Sequence, residues 1–332
     1  MLISVVAPVY NERGCLQELV RRIDSALARR PYEIILVDDG SRDGSWDEIV
    51  RLRQQYPRVK GIRFSRNFGH HVAITAGLDW AAGEWVVVMD SDLQDLPESI
   101  PALLVKAAEG YHMVVARRQS KQHGLVKRAL SRSFAHAMTW LAGFEFDHSV
   151  GVFRVMHRDL VEAVRAMQET PRFFTAMTEW AGFQRASIDV THGARFAGET
   201  KYPLRKQIAL AMKAAIGFSE KPLQVLVAVG ATIAIAGLLY AVAIVVRAFM
   251  GGIAVLGYAS LISAILVMGG LGIATTGVVG LYVGSVFSQT KRRPLYLMQA
   301  AEGIDARVLP PAFEAVWLER ASGSELQAKR AG

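Results

Sequence analysis

The chain holds a single cysteine, Cys15, among 332 residues. One cysteine excludes an intrachain disulfide framework and a cysteine-based zinc site. Cys15 sits within a helical pattern and is expected simply to pack. The first strand-to-helix turn lacks Gly-x-Gly-x-x-Gly, which excludes the dinucleotide fingerprint, and lacks the Gly-Lys-Ser/Thr of a P-loop. His70, His71, His112, His123 and His136 show no metal-ligand spacing on a common face and read as structural or surface residues. There is no internal repeat and no low-complexity tract. No basic segment with a small-residue cleavage site precedes the first apolar run, so no secretory signal is expected. Charge is also missing from Pro222 to Val246 and again from Ala248 to Thr290, with only Arg247 between.

What is present is apolar and basic: 52% hydrophobic residues and a formal net charge of +8. A basic balance suits nucleic acid, a membrane surface or an anionic substrate. Here much of it flanks apolar runs, which favours the membrane and an anionic substrate and leaves no nucleic-acid partner expected. The length accommodates one good-sized domain and something further.

Over the first two hundred residues, strand-like runs alternate with helical patterns. Leu2–Val6 is the first strand. Leu16, Leu19, Val20, Ile23 and Leu27 then fall on one face of a helix near 14–30. Glu33–Val37 is a second strand, followed by a helix near 45–55 and a strand at 59–64. Next come a helix over roughly 70–82 and the run Glu84–Val88. Pro97 and Gly110 frame a helix over 98–109, and Val114–Ala116 is a further strand. Such alternation predicts a mostly parallel, doubly wound α/β sheet.

Polar residues cluster after the first, second and fourth strands: Pro8–Glu12, Asp38-Asp39-Gly40-Ser41 and Asp90–Asp95. In a parallel sheet these ends share one edge, where open α/β sheets bind ligands. The chain is organised around Asp90-Ser91-Asp92. Two carboxylates so close repel unless a cation sits between them, and a hard divalent ion holding a diphosphate meets that need. Three acid-rich loops on one edge point to a nucleotide site with a metal.

Pro8-Val9-Tyr10-Asn11-Glu12, Asp38-Asp39-Gly40-Ser41, Arg66-Asn67-Phe68-Gly69 and Asp90-Ser91-Asp92-Leu93-Gln94-Asp95-Leu96-Pro97-Glu98 resemble family 2 glycosyltransferases of the GT-A fold. More narrowly they resemble the polyprenyl-phosphate branch: dolichol-phosphate mannosyltransferases, bactoprenol glucosyltransferases and undecaprenyl-phosphate formamido-arabinose transferases. Gly198-Glu199-Thr200-Lys201-Tyr202 and Arg292-Arg293-Pro294-Leu295-Tyr296 also have counterparts there, and the likeness covers about residues 1–298. It implies that Pro8, Tyr10, Asn11, Glu12, Asp39, Ser41 and Asn67 hold a nucleotide sugar, with Asp90 at the diphosphate and Lys201 on a loop nearby. It implies that Asp90, Asp92 and Gln94 bind Mg²⁺ or Mn²⁺. Arg117, Lys127 and Ser131 would meet the phosphate of a polyprenyl-phosphate acceptor, for which Arg and Lys are apt partners. Some relatives carry an Asp just before Phe153-Arg154; here Val152 stands there. A phosphate monoester has a second pKa near 6 and is largely a dianion at neutral pH. The expected catalysis is therefore positioning and leaving-group stabilisation centred on Asp92, with Asp95 and Asp147 as alternative bases.

The two uncharged stretches exceed the roughly 20 residues that a bilayer span requires. Spans are expected near 223–246 and 258–287, with a short external loop between them. Basic residues precede the first span and follow the second (Lys291, Arg292, Arg293), so both ends are expected in the cytoplasm. The expected layout is a catalytic domain over 1–200, an interfacial helix within 201–222, two transmembrane helices over 223–287 and a cytoplasmic tail over 288–332. The implied location is the inner (plasma) membrane. Gly280 and Gly284 match Gly-x-x-x-Gly spacing, and a homo-oligomer is compatible with that. Two other readings stand beside this one: a processive polysaccharide synthase, although Gln168…Arg172-Phe173 departs from the Gln-x-x-Arg-Trp of that class, and a non-catalytic nucleotide-binding membrane module.

Overall fold

The computed structural model describes residues 1–118, 150–167, 169, 172–191, 193, 221–249, 258–291 and 293–304. Lys127, Ser131, Asp147, Lys201, most of the expected interfacial helix and the tail after 304 lie outside the described residues. The chain forms two compact units. One takes the described residues up to 193 together with 293–304; the other takes 221–249 and 258–291.

The first unit is built on one eight-stranded sheet. In chain order its elements are β1 (Ile3–Val9), α1 (Arg13–Leu27), β2 (Tyr32–Asp38), α2 (Ser45–Gln55), β3 (Val59–Phe64), α3 (His70–Trp80) and β4 (Trp85–Val88). After a short 3₁₀ turn come α4 (Ile100–Ala107), β5 (Met113–Arg118), β6 (Val150–His157), α5 (Arg158–Ala166), α6 (Phe174–Trp180) and β7 (Arg185–Val190); β8 (Met298–Glu302) follows much later. The strand order is β7-β5-β6-β4-β1-β2-β3-β8. Strands β3, β2, β1 and β4 run parallel, and β5 runs parallel to β7. The sheet is nevertheless mixed: β6 lies antiparallel between β4 and β5, and β8 pairs antiparallel with β3. The strand–helix alternation places β1 to β5 correctly. It misses β6 because Gly151 and Arg154 interrupt its apolar run, although Arg154 is 0% exposed.

Strands β1 and β2 are buried along their whole length, as parallel strands covered on both faces must be. Val5, Ala7 and Val9 share a core with Leu16, Leu19 and Ile23 of α1, Ile49 and Leu52 of α2, and Leu103 of α4. Cys15 is buried in that core. Val6 points the other way, against Gly77 of α3. Helices therefore cover both faces, and each fully buried aliphatic side chain contributes about 1.5–3 kcal/mol.

The second unit holds α7 (Lys221–Phe249) and α8 (Tyr258–Thr290), of 29 and 33 residues. Within α8, Met268–Phe287 is 20 residues of mean hydropathy 1.6 and is long and apolar enough to cross a bilayer. Leu223–Gly237 of α7 is a shorter apolar stretch.

Candidate active site

The loops after β1, β2, β3 and β4 gather at one edge of the sheet because their strands are parallel neighbours. Val9 stands opposite Asp38, and β4 ends at Val88 opposite Val6, so Asp90 leaves the sheet beside the end of β1. Hydrogen bonds then tie loop to loop. The Asn11 N–H donates to Ser41 Oγ (2.9 Å), and Asn11 Oδ1 accepts from the Arg42 N–H (2.9 Å). The Glu12 N–H donates to Ser45 Oγ and the Arg13 N–H to Asp43. Tyr10 stands clear at 49% exposure.

The second loop turns on two buried carboxylates. Asp38 Oδ1 accepts the Ser41 N–H at 2.9 Å, while Oδ2 lies 3.5 Å from Arg63 Nε. Asp39 reaches the other way. Its carboxylate accepts the N–H of Phe68 (2.6 Å) and of Gly69 (3.0 Å). This fixes the Arg66-Asn67-Phe68-Gly69 loop and with it the start of α3. Burial raises the Asp39 pKa above the ordinary carboxylate value; the Phe68 and Gly69 N–H groups pull it down, Asp38 adds to the rise, and His70 opposes it. Asn67 is exposed on this loop.

The loop that opens at Asp90 is strained and braced. Leu93 has φ +62, a conformation rare for a bulky residue, and its side chain is held in the core. Asn11 (φ +55) is the other non-glycine residue with positive φ among the described residues. Both lie in site loops, where such strain tends to collect. Sinking Leu93 lets Asp90 and Asp92 stay partly exposed. Asp92 Oδ1 accepts the Gln94 N–H at 3.1 Å, and the Gly193 N–H donates to the Gln94 carbonyl at 2.9 Å. Asp95 is 3% exposed, and its Oδ2 lies 3.5 Å from the Asp90 N–H, beneath the loop.

The structure thus brings together Pro8, Tyr10, Asn11, Glu12, Asp39, Ser41, Asn67, Asp90, Asp92, Gln94 and Asp95. Arg117, exposed near the end of β5, stands in register with Val150 and Asp189, three strands away from β1. Val152 is buried, and its carbonyl accepts from Arg154 Nε.

Glycosyl transferase family 2 matches residues 4–165. The glycosyltransferase YkcC of Bacillus subtilis (strain 168) is 35% identical over 309 residues, spanning 92% of this chain and 96% of its own. The chain belongs to glycosyl transferase family 2. The bactoprenol glucosyl transferase of Shigella phage SfV is 33% identical over 302 residues, 90% of this chain and 98% of its own. Among solved structures, glucosyl-3-phosphoglycerate synthase from Mycobacterium tuberculosis aligns over 65% of this chain and 78% of its own, at 20% identity and a TM-score of 0.44. The protein is a glycosyltransferase related to bactoprenol glucosyl transferases, and its α/β domain is GT-A-like with a mixed sheet.

Within the family reading, the donor set suits a hard divalent cation. Asp90 and Asp92 supply two carboxylates that are partly exposed. Among the described residues no three His, Cys, Asp or Glu side chains form a metal cluster. A Mg²⁺-type ion needs no such cage, since one or two carboxylates and the phosphates of a bound substrate suffice.

Reading the sequence for metal spacing misses His70. It opens α3, and its Nε2 lies 3.5 Å from Asp90 Oδ1. Desolvation lowers its pKa below the ordinary imidazole value, against the pull of Asp39 and Asp92. Its signal in the sequence is its place directly after Asn67-Phe68-Gly69.

Proposed function

We propose that the protein transfers a sugar from a nucleoside-diphosphate sugar, UDP-linked, to polyprenyl (undecaprenyl) phosphate at the cytoplasmic face of the inner membrane, with inversion at the anomeric carbon. The observation that carries this is the hydrogen-bonded convergence of the loops after β1, β2 and β3 beside Asp90 and Asp92. The relationship to enzymes named bactoprenol glucosyl transferase supports the acceptor class.

In this reading Tyr10, Asn11, Glu12, Asp39, Ser41 and Asn67 form the nucleotide side of the crevice. Asp90, Asp92 and Gln94 would hold Mg²⁺ or Mn²⁺, which supplies positive charge to the departing diphosphate. The chain's own contribution is to hold the reactants in line. Asp39 fixes the 66–69 loop, Leu93 and Asp95 fix the attitude of Asp90 and Asp92, and His70 faces Asp90. Arg117, Lys127 and Ser131 would receive the acceptor phosphate, and Lys201 would reach the donor. With a phosphate dianion as nucleophile no strong base is required, which accords with Val152 where an Asp stands in some relatives. Asp95 then acts as a brace, and Asp147 is the remaining candidate base. Helices α7 and α8 would be two spans with both ends in the cytoplasm, because Lys221 opens the first and Lys291 and Arg293 follow the second. The lipid-linked monosaccharide would serve envelope glycan or lipopolysaccharide modification.

The test is a transfer assay on detergent-solubilised protein. A short-chain polyprenyl phosphate and a panel of UDP- and GDP-sugars are supplied with Mg²⁺ or Mn²⁺, with EDTA and Asp92→Asn as controls. Lipid-linked sugar from one donor, lost in both controls, is the expected result. Transfer to a growing glycan instead of the lipid would overturn the acceptor assignment and favour a polysaccharide synthase.

A further inference from the structure

The segment after α8 returns to the catalytic unit, and a physical line runs from it to the donor crevice. Tyr296, six residues beyond the end of α8, is 1% exposed. Its hydroxyl donates to Asp79 Oδ2 on α3 at 2.9 Å. Arg165 Nε lies 3.7 Å from the other oxygen of the same carboxylate. The Tyr296 ring stacks on Phe64, with centroids 4.9 Å apart and planes 26° from parallel. Phe64 in turn meets Phe68 edge-on at 5.6 Å. The Phe68 N–H is the one that Asp39 accepts at 2.6 Å. Beside the ring, the Leu297 carbonyl accepts the Ser65 N–H at 2.9 Å, and β8 pairs with β3, the strand that leads into the loop.

We propose that Tyr296 is a positioning residue for the donor site, clamping the 65–69 loop and helix α3 from behind so that Asp39 can hold the Phe68 and Gly69 N–H groups. The inference rests on the donor-site reading above. Its geometry explains why so polar a loop keeps its shape. The 65–67 backbone carries exposed side chains and little core of its own, so its position is borrowed from Phe64 and Phe68. Phe64 is fixed only if its outer face is covered, and Tyr296 covers it. The hydroxyl bond to Asp79 stops the ring from sliding and ties the same anchor to α3, whose first residue faces Asp90. The stretch after the last apolar helix is therefore part of the crevice's frame and not a free tail.

The test uses the full-length protein in detergent, with Tyr296→Leu and Tyr296→Phe. The first readout is amide hydrogen exchange; the second is affinity for UDP with Mn²⁺. For Tyr296→Leu, exchange at residues 66–71 should rise about tenfold while β1 and β2 keep their protection. UDP affinity should fall about tenfold, since a loop held in the competent state only part of the time weakens binding by that fraction. Tyr296→Phe keeps the stack but loses the tie to Asp79, and should recover part of both effects. Unchanged exchange at 66–71 in Tyr296→Leu overturns the proposal. So does equal loss of protection in β1 and β2, because Tyr296 would then be general packing. If the wild type itself fails to bind UDP with Mn²⁺, the donor reading falls, and the exchange result still decides the clamp.

Discussion

Gly40 offers a direct way to disturb the proposed donor site by a known amount. It has φ +73, and a Cβ built there would meet the Arg66 carbonyl carbon at 2.6 Å and the Asn67 nitrogen at 2.8 Å. Gly40→Ala therefore carries two costs. The left-handed backbone costs an alanine roughly 1–2 kcal/mol. The steric clash is with backbone, which cannot swing aside as a side chain can. Carbon atoms rest at about 3.5–4.0 Å, so the 66–67 segment must retreat by about 1 Å. That would stretch the Phe68 N–H bond to Asp39 from 2.6 Å to about 3.5 Å, beyond the useful range. Losing a hydrogen bond to a charged group costs about 1.5–3 kcal/mol. Gly110→Ala is the control, because Gly110 has φ +105 with nothing within 4 Å of a built Cβ and lies in the turn between α4 and β5. It carries the backbone cost alone. Thermal melts and UDP–Mn²⁺ titration calorimetry would be run on both variants. Each should lower the melting temperature, by about 2–4 °C per kcal/mol for a domain of this size. Only Gly40→Ala should weaken UDP binding, by roughly 10–100-fold at 1.4 kcal/mol per decade. If Gly40→Ala binds UDP as the wild type does, or Gly110→Ala weakens binding equally, the coupling of Gly40 to the 66–69 loop is refuted.

Other perturbations have equally definite outcomes. Burial pushes the His71 pKa down to about 3, with His70 and Arg154 adding, and its buried Nδ1 has no hydrogen-bond partner among the described residues. The unfolded chain binds a proton near pH 6.5 that the folded chain refuses, so stability is full above pH 6.5 and falls progressively toward pH 3. At pH 5 the loss reaches up to about 2 kcal/mol, and His71→Leu should flatten the melting temperature between pH 6.5 and 5; an unchanged slope counts against it. Arg154 is 0% exposed; its guanidinium donates to the Gly151 and Val152 carbonyls and to Thr178, and lies 5.0 Å over the Phe174 ring. Burial pushes its pKa down to about 10, so it stays charged at pH 7. Arg154→Met should cost about 2 kcal/mol or more by orphaning those acceptors, and Arg154→Lys should rescue little, because an ammonium lacks the planar fork; melts matching the wild type would contradict this. Asp92→Asn should reduce Mn²⁺-dependent UDP affinity about tenfold or more with little change in melting temperature, and EDTA should do the same to the wild type.

The sequence by itself determined the elements whose signal is local. Buried parallel strands are continuous apolar runs and amphipathic helices repeat every three to four residues, so β1 to β4 and α1 to α3 could be read directly. Asp90-Ser91-Asp92 and the acid-rich turns could be read too, because parallel strands send successive loops to one edge. Only tertiary structure decided the rest. β6 carries a glycine and a buried arginine that deny it an apolar run, and it becomes a strand because β4 and β5 offer backbone on both sides. β8 reads Met-Gln-Ala-Ala-Glu, a poor strand sequence, and forms because β3 has an open edge. The bonds that Asp39 makes to Phe68 and Gly69, 29 and 30 residues away, leave no periodic trace in the chain. Nor does the placing of Tyr296 against Phe64, or of His70 against Asp90. Periodicity reports which side of an element faces inward; which distant residue waits there is set by the packing of the whole sheet.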